Sequence, residues 1–506
     1  MFRVNGKSYS IPDFVPFLFG RTKIQLSRHV ISNIKTNRKC LEESLAKGHT
    51  IYGVNTGFGA LSQVEISDDD QKLLQLNLVR SHAAGTGTPF PSEVVRLTLV
   101  LKLLNISFGY SGVRWEVAEQ LMDFLNNDIL PIVPSKGSVG ASGDLAPLSH
   151  IALALIGEGN VQYEGRIFSS IKAMKKAGLT PLTLQTKEGL TLVNGTQVST
   201  ALGVSASCRL SNLLKTADII GALSVEASLA SRNMFRPAIH RLKKHPGQQL
   251  VSRNVWNLLK KSEIVASHQE CGLVQDPYSF RCIPHIHGAI RDVISAMNKI
   301  IENEINSVSD NPLVFSESGK VESSGHFHAE PVAQAMDAMA ISTAEIGAIS
   351  ERRTAYMMEG NVDHLPNCLA SVPGLESGYM MLQVTAGALA SENKTLATPA
   401  SVDSIPTAGG QEDLVSMAPW AGQKLLNIIG NVENILAIEL LTACRAIDFH
   451  RPLKPAPVTN SVWKMLRRYV KIRSKDHPLS GDIETAKELI STGKIISIVE
   501  SKMTIL

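Results

Sequence analysis

The chain has 506 residues and a formal net charge of +4, and 44% of its residues are hydrophobic. A chain of this length and apolar content buries a large core, which excludes intrinsic disorder. Its length allows roughly two to four domains. Because 50 Lys and Arg are nearly balanced by 46 Asp and Glu, and no dense basic stripe occurs, the composition argues against a nucleic-acid-binding protein.

The N-terminus and the cysteines indicate the cellular compartment. The first residues lack a charged segment followed by an apolar run, so we expect no signal peptide. No apolar run approaches the ~20 residues of a membrane span, so we expect a soluble, cytoplasmic protein without a membrane partner. Since no C-x-x-C pair occurs, the cysteines favour reduced thiols over a zinc site or a disulfide framework. They are Cys40, Cys208, Cys271, Cys282, Cys368 and Cys444.

Helical patterns dominate the chain from about residue 90 onward. Residues 94–104 are apolar almost all round, which predicts a helix that is buried on most sides. After Pro331, which suits the first turn of a helix, many Ala and Met residues predict a helix that packs closely against others. Residues 425–436 repeat apolar side chains at steps of three and four, as in a long helix. Because such helices are poorly solvated in a monomer, we expect an oligomer.

Glycine and proline mark the breaks between these segments. Glycines form one loop around Tyr52 and another at residues 137–143, and a proline-rich connector at residues 451–457 precedes a C-terminal helical region. We therefore expect a mostly α fold with a core of long helices. In this prediction residues 1–110 form a smaller mixed region with the Tyr52 loop, and residues 111–506 form the helical core.

Residues 137–150 read Gly-Ser-Val-Gly-Ala-Ser-Gly-Asp-Leu-Ala-Pro-Leu-Ser-His and allow three interpretations. The first is a glycine-rich loop that enters a helix with Asp144 as its N-cap. The second is a phosphate cradle, for which no Lys stands at the P-loop spacing. In the third, the nitrogen of Gly143 attacks the carbonyl of Ala141, since a glycine permits the tight bend. Loss of water, including the hydroxyl of Ser142, then leaves an electrophile that ordinary side chains do not supply.

This segment resembles the signature of the aromatic amino acid ammonia-lyase family, whose members build a 4-methylideneimidazole-5-one (MIO) group from Ala-Ser-Gly. Further segments resemble the family in the family's order, from about residue 10 to about residue 500. They are Tyr52-Gly53-Val54-Asn55-Thr56-Gly57-Phe58-Gly59, Asn194-Gly195-Thr196, Gln275-Asp276-Pro277-Tyr278-Ser279-Phe280-Arg281-Cys282 and Asp310-Asn311-Pro312. The resemblance implies the family's long-helix bundle, an MIO group formed from Ala141, Ser142 and Gly143 without a dissociable cofactor, and a homotetramer with shared active sites.

Within the family, the chain is most similar to the members that act on histidine. The segments that carry this similarity are Ser81-His82-Ala83-Ala84-Gly85, Phe327-His328-Ala329-Glu330-Pro331 and Gln411-Glu412-Asp413. Departures at His326, Asn367 and Gly410 bear on the substrate rather than on the reaction. The similarity implies non-oxidative deamination of L-histidine to trans-urocanate.

The resemblance also implies the roles of individual residues. Ser142, Tyr52, Tyr278 and Glu412 would be catalytic, with Tyr52 as the general base for the β-proton. A free tyrosine has a pKa near ~10, so such a base needs a cationic or dipolar environment that lowers its pKa, and backbone N–H groups of the glycine loop could supply one. The guanidinium of Arg281 matches the two oxygens of a substrate carboxylate. The predicted substrate-binding residues are His82, Asn194, Gln275, Arg281 and Phe327.

Three alternatives stay open. The first is a tyrosine or phenylalanine ammonia-lyase, or an aminomutase, although Glu412 beside a phenyl ring would be costly to bury. The second is a metal-dependent hydrolase built on His285-Ile286-His287 and His326-Phe327-His328, although side chains two apart diverge on a helix. The third is a helical scaffold with an unmodified Ser142. We expect no metal, because both H-x-H pairs lie in or beside segments with a helical pattern.

Overall fold

The computed structural model describes residues 1–268 and 274–506. Cys271 lies outside these residues, and the other five cysteines are free thiols. Helices make up most of the described chain, which confirms the mostly α prediction. The α-helices are α1 (Val15–Leu18), α2 (Arg28–Ala46), α3 (Gln71–His82), α4 (Ser92–Ser107), α5 (Trp115–Asn127), α6 (Leu145–Leu155), α7 (Ser170–Ala177), α8 (Glu188–Val193), α9 (Gln197–Ala227), α10 (Pro237–His240), α11 (Pro246–Leu258), α12 (Glu263–Ser267), α13 (Tyr278–Arg281), α14 (Ile283–Ile305), α15 (Glu330–Met358), α16 (Met380–Leu396), α17 (Ala418–Phe449), α18 (Pro457–Tyr469), α19 (Ser480–Ser491) and α20 (Lys494–Glu500).

Several local predictions are confirmed by these bounds. Residues 94–104 lie in α4, where every residue from Val94 to Ser107 is buried. Pro331 is the second residue of α15, where its missing N–H leaves no helical hydrogen bond unmade. The connector at residues 451–457 ends where α18 begins, and Pro457 is the first residue of that helix.

The chain divides into two compact units, each built from three separate segments. Unit 1 comprises residues 1–208, 298–337 and 399–423, and unit 2 comprises residues 209–297, 338–398 and 424–506. The division near residue 110 rests on the pattern along the sequence and stays a prediction. The positions at which the chain passes from one unit to the other lie inside or next to long helices. No glycine- or proline-rich loop therefore marks them in the sequence.

Unit 1 holds the strands of the described chain. The strands are β1 (Phe2–Val4), β2 (Ile24–Leu26), β3 (Thr86–Pro89), β4 (Leu130–Pro131), β5 (Pro134–Lys136), β6 (Asn160–Tyr163), β7 (Arg166–Ser169), β8 (Leu313–Phe315) and β9 (Lys320–Glu322). They form a parallel β1–β2 pair, antiparallel β3–β5 and β8–β9 pairs, and an antiparallel β4–β6–β7 sheet. These small sheets join the helices of the unit, and the β3–β5 pair connects the segment after α3 to the segment before α6.

Unit 2 is helical throughout its described regular structure. Its core contains a buried ion pair in which Arg353 of α15 binds both carboxylate oxygens of Glu439 in α17. The hydroxyls of Ser224 and Ser350 donate to the same carboxylate, so that both of its oxygens are satisfied. Because a buried pair is costly when one partner is lost, these contacts specify how the helices pack.

In the described part of the chain, one helix is long and apolar enough to cross a membrane by length and composition. This helix is α17, and 72% of its most apolar window is buried inside the protein. A core helix of a water-soluble protein passes the same test, and the pattern at residues 425–436 places its apolar side chains in the core, with Leu425, Ile428 and Val432 fully buried.

Candidate active site

Unit 1 contains a cavity of about 1040 Å³. Its wall brings together the loop after α2, one face of α3, the loop before α6, the end of α8, and the segments at residues 323–328 and 408–414. Most of the residues predicted for the active site line it, namely Tyr52, His82, Ala141, Ser142, Asn194, Phe327 and Glu412. Tyr52 and Glu412, which lie 360 positions apart in the sequence, therefore share one site, as the separated motifs predicted.

The Ala141-Ser142-Gly143 loop is held in a tight bend against Gly195. Gly143 has a φ of +73°, and a Cβ there would lie 2.2 Å from the carbonyl oxygen of Gly195. The next backbone N–H, that of Asp144, donates to the same oxygen at 2.8 Å. The side-chain amide of Asn194 donates to the carbonyl oxygen of Ser142 at 3.1 Å. The position therefore requires glycine, and the carbonyl of Ser142 has a fixed donor.

Asp144 differs from the N-cap expected of it. It precedes α6, but its carboxylate makes no cap hydrogen bond to that helix. Instead it accepts the backbone N–H of Ser199 at 2.8 Å and the Ser199 hydroxyl at 2.7 Å, in α9. Burial raises the pKa of the carboxyl to about 6, against the opposing effect of these hydrogen bonds. The prediction that the Asp144 side chain caps α6 is therefore wrong, because both of its carboxylate oxygens accept hydrogen bonds from Ser199 instead.

Tyr52 lies in a turn whose glycines bring backbone close to its ring. The backbone N–H of Gly59 donates to the phenolic oxygen of Tyr52 at 3.1 Å. The ring packs edge-on against Phe58, with centroids 6.4 Å apart. Gly53 has a φ of +65° and no space for a side chain beside Phe58 and Leu190. The predicted approach of a backbone N–H to this tyrosine is therefore observed.

One face of α3 points into the cavity and ends at His82. The lining residues of α3 follow helical spacing and are Leu74, Asn77, Leu78, Ser81 and His82. The Nδ1 atom of His82 lies 3.0 Å from the carbonyl oxygen of Leu78. Since a carbonyl oxygen can only accept, Nδ1 carries the proton and Nε2 is the acceptor of the neutral ring.

Glu412 and Ser142 are in direct contact. The hydroxyl of Ser142 donates to Oε1 of Glu412 at 2.8 Å, and the hydroxyl of Thr407 donates to Oε2 at 2.6 Å. Among the described residues Glu412 forms no ion pair, so hydroxyl groups are its side-chain donors.

Four predicted residues are not among those that line the cavity, and one of them, Gly143, forms the bend against Gly195. Gln275, Tyr278 and Arg281 belong to unit 2, where Tyr278 is 69% exposed. Arg281 donates to the side-chain oxygen of Gln275 and stacks over the ring of Tyr278, with 4.7 Å between Cζ and the ring centroid. The spacing of three suggested one helical face, but the helix α13 covers Tyr278–Arg281 and Gln275 precedes it. The three residues nevertheless form one cluster.

The departures from the histidine-specific pattern lie away from the cavity lining. His326 and Gly410 do not line it, although their neighbours Phe327 and Gln411 do, and Asn367 belongs to unit 2. Gly410 has a φ of +88° and open space where a Cβ would stand.

The H-x-H pairs have separate structural partners. His287 lies in α14 and contacts a carboxylate oxygen of Asp218 at 2.9 Å. His328 contacts the carbonyl oxygen of Leu414 at 3.3 Å. In the described part of the chain, no group of three or more His, Cys, Asp or Glu side chains is placed to hold a metal ion.

Lys102 is a residue of this region that sequence analysis missed. It is fully buried in α4, and its ammonium donates to the carbonyl oxygens of Asn194 at 2.7 Å and Thr191 at 2.9 Å. Burial lowers its pKa to about 7. The available signal was a lysine within a stretch predicted to be buried on most sides, since such a cation needs buried acceptors.

Comparisons with known proteins agree with this arrangement. The sequence profile described as aromatic amino acid lyase matches residues 9–468. A histidine ammonia-lyase of Vibrio cholerae is 47% identical over 468 residues, which is 92% of this chain and 92% of that protein. The crystal structure of histidine ammonia-lyase from Trypanosoma cruzi has a TM-score of 0.91 at 36% identity and covers 99% of this chain and 95% of its own. The structure of a tyrosine aminomutase from Streptomyces globisporus has a TM-score of 0.94 at 31% identity and covers 100% of both chains. The chain therefore belongs to the aromatic amino acid lyase family, as its motifs predicted.

Proposed function

We propose that this protein is a cytoplasmic histidine ammonia-lyase, which eliminates ammonia from L-histidine to give trans-urocanate. Curated relatives with that name support the proposal at 41–47% identity over most of the chain. The observation that carries it is the presence of His82 and Glu412 in the same cavity as Ser142. An imidazole and a carboxylate suit a substrate whose ring can both donate and accept hydrogen bonds.

The loop at Ala141-Ser142-Gly143 fits the family's MIO group. The absence of room for a Cβ at Gly143, the bend against Gly195 and the amide of Asn194 on the Ser142 carbonyl suit a cyclised backbone. When formed, this group supplies an electrophilic carbon for the substrate amine, which ordinary side chains do not offer. In this proposal the Asn194 amide orients the group.

Tyr52 would take the β-proton of the substrate at its phenolic oxygen. That oxygen already accepts the N–H of Gly59, which stabilises negative charge on it. The apolar residues Phe58 and Leu61 line the same cavity. His82 and Glu412 would hold the imidazole, and Phe327 would pack against it.

The substrate carboxylate needs a cation that this cavity lacks. Among its described lining residues there is no Lys or Arg. We infer that Arg281, with Gln275 and Tyr278, enters the cavity of a neighbouring subunit in a homotetramer. The high exposure of Tyr278 in one chain supports this role, since a catalytic aromatic in solvent needs a partner surface.

The proposal is tested by following ultraviolet absorbance after adding L-histidine, L-tyrosine or L-phenylalanine to the purified protein. Each elimination places a new double bond in conjugation with the ring, so absorbance rises. We expect a rise and ammonia release with histidine alone, and near-complete loss of both in a folded Ser142→Ala variant. A rise with tyrosine or phenylalanine alone would contradict the substrate assignment. Full turnover by Ser142→Ala would contradict the role of the MIO group.

An aminomutase is distinguished by its product. It returns the amine to the β-carbon, so ammonia release stays low and a β-amino acid accumulates. Chromatography of the products therefore separates the two reactions on this fold.

A further inference from the structure

The two oxygens of the Glu412 carboxylate have different partners. Oε1 accepts the Ser142 hydroxyl at 2.8 Å, and Oε2 accepts the Thr407 hydroxyl at 2.6 Å. Glu412 lines the cavity, whereas Thr407 does not. Thr407 therefore reaches the cavity through Glu412, from the side of the carboxylate opposite Ser142.

The backbone places Thr407 at this position by closing a short loop. Thr407 and Glu412 form an antiparallel bridge, in which the N–H of Thr407 donates to the Glu412 carbonyl at 2.8 Å and the N–H of Glu412 donates back at 3.3 Å. The turn between them needs left-handed backbone at Ala408, Gly409 and Gly410, with φ values of +48°, +68° and +88°. Glycine at two of these positions makes the turn inexpensive. The loop thus brings the side chain of Thr407, its first residue, next to that of Glu412, its last residue.

The hydroxyl has an electrostatic reason to be there. Glu412 makes no ion pair among the residues that the structure describes, and it is partly buried in the cavity wall. A carboxylate in such a place is stabilised by hydrogen-bond donors, and a bond to a charged acceptor is stronger than one to a neutral group. The bond to Oε2 also fixes the rotation of the carboxylate, so that Oε1 keeps its orientation toward residue 142.

We propose that Thr407 is a positioning residue, which holds Glu412 in the orientation needed to bind the substrate ring. This inference rests on the proposed function, because it assigns the ring to Glu412. If Thr407 only stabilised the loop, its replacement would have the same effect whichever residue stands at position 412. A positioning residue acts through the carboxylate, so its effect depends on Glu412 being present.

The test compares Thr407→Val, which has the same shape without the donor, with Thr407→Ser, which keeps it. Intact mass counts the matured chains, and steady-state kinetics with L-histidine are expressed per matured chain. We expect kcat/KM to fall about tenfold or more in Thr407→Val, and to return to within about threefold of wild type in Thr407→Ser. Thr485→Val, at a partly exposed position of α19 in unit 2, serves as a matched control and should keep wild-type kinetics.

A double-mutant cycle separates positioning from loop stability. In a Glu412→Ala background, Thr407→Val should change the remaining kcat/KM by less than about twofold, because no side-chain acceptor is left at position 412 for the hydroxyl to orient. An equal loss in both backgrounds, or wild-type kinetics in Thr407→Val, would overturn the proposal. If Thr407→Val does not fold, Thr407→Ala is measured against Thr407→Ser in the same way. Inactivity of the wild-type protein toward histidine would instead refute the proposed function.

Discussion

The backbone N–H of Gly59 donates to the phenolic oxygen of Tyr52 at 3.1 Å. This contact depends on a loop in which Gly53 and Gly59 both have positive φ values, of +65° and +52°. The loop curls back on its own tyrosine and places a backbone dipole at the atom that would carry negative charge. A backbone N–H in this position is a fixed donor for negative charge on that oxygen.

Removing that oxygen should reduce turnover far more than substrate binding. In Tyr52→Phe the ring and its packing against Phe58 remain, while the proton acceptor is lost. We expect kcat to fall by about 10²–10⁴-fold, with KM changed only a few-fold. Steady-state kinetics with L-histidine measure both quantities. A rise in KM at unchanged kcat would make Tyr52 a binding residue and place the base elsewhere.

Gly143 provides a test of the bend that precedes MIO formation. A Cβ at this residue would lie 2.2 Å from the Gly195 carbonyl oxygen, so the Gly143→Ala variant must displace backbone. We expect Gly143→Ala to lack the mass loss of two waters and to be inactive. Intact mass spectrometry measures the maturation directly.

Gly178 is a matched control for this substitution. It has the same φ of +73°, but a Cβ there would meet nothing within 4 Å. Gly178→Ala therefore has the left-handed backbone penalty of about 1–2 kcal/mol without the clash. We expect it to mature and to turn over like the wild type. Equal maturation of the two variants would show that the contact with Gly195 is unimportant.

Features that depend on neighbouring residues in sequence were predictable. The burial of α4 follows from apolar side chains on every face, and the bend at Gly143 follows from glycine in the Ala-Ser-Gly motif. The start of α15 beside Pro331 is likewise a local rule. Gathering Tyr52, Ser142 and Glu412 in one place required the resemblance, because no spacing connects them.

Contacts that depend on tertiary packing were not predictable. Asp144 has the position of an N-cap, yet Ser199, which lies in another helix, takes its carboxylate. Lys102 finds its acceptors at the end of α8, and Thr407 finds Glu412 through a turn with three left-handed residues. The sequence shows that such polar groups need partners, but only the fold decides which partners are within reach.

The proposed sharing of active sites between subunits predicts complementation. Ser142→Ala and Arg281→Ala variants should each be inactive alone. If Arg281 serves the cavity of a neighbouring subunit, unfolding and reassembling equal amounts of both gives mixed oligomers in which about a quarter of the sites are intact. We expect activity with L-histidine to reappear in proportion to this fraction of intact sites.

The control mixture combines Ser142→Ala with Tyr52→Phe. Both residues line the same cavity in one chain, so every site in this mixture keeps one defect. We expect no recovery here. Recovery in both mixtures would indicate exchange of whole segments, and recovery in neither would place Arg281 in its own chain's site.

Glu226 predicts a pH dependence of stability in unit 2. It is fully buried, and its Oε1 accepts the N–H of Ala456 at 2.6 Å. Burial raises the pKa of the carboxyl from 4.5 to about 7, although hydrogen bonds from Ser262, Thr459 and Ala456 oppose the shift. The folded state therefore binds this proton more tightly than the unfolded state. Its contribution to the free energy of unfolding is fully present below about pH 4.5 and is lost as the pH rises through about 7.

Glu226→Gln removes this titration, so the difference in the free energy of unfolding between the wild type and this variant should change with pH. Between about pH 4.5 and 7 the wild type should lose up to about 1.4 kcal/mol per pH unit relative to the variant, with no further change above that range. Denaturant unfolding of both proteins at several pH values measures the difference. Glu484→Gln, an exposed change in α19, should follow the wild type. A difference between Glu226→Gln and the wild type that does not vary with pH would mean that Glu226 stays ionised in the folded core, with its buried hydrogen bonds outweighing desolvation.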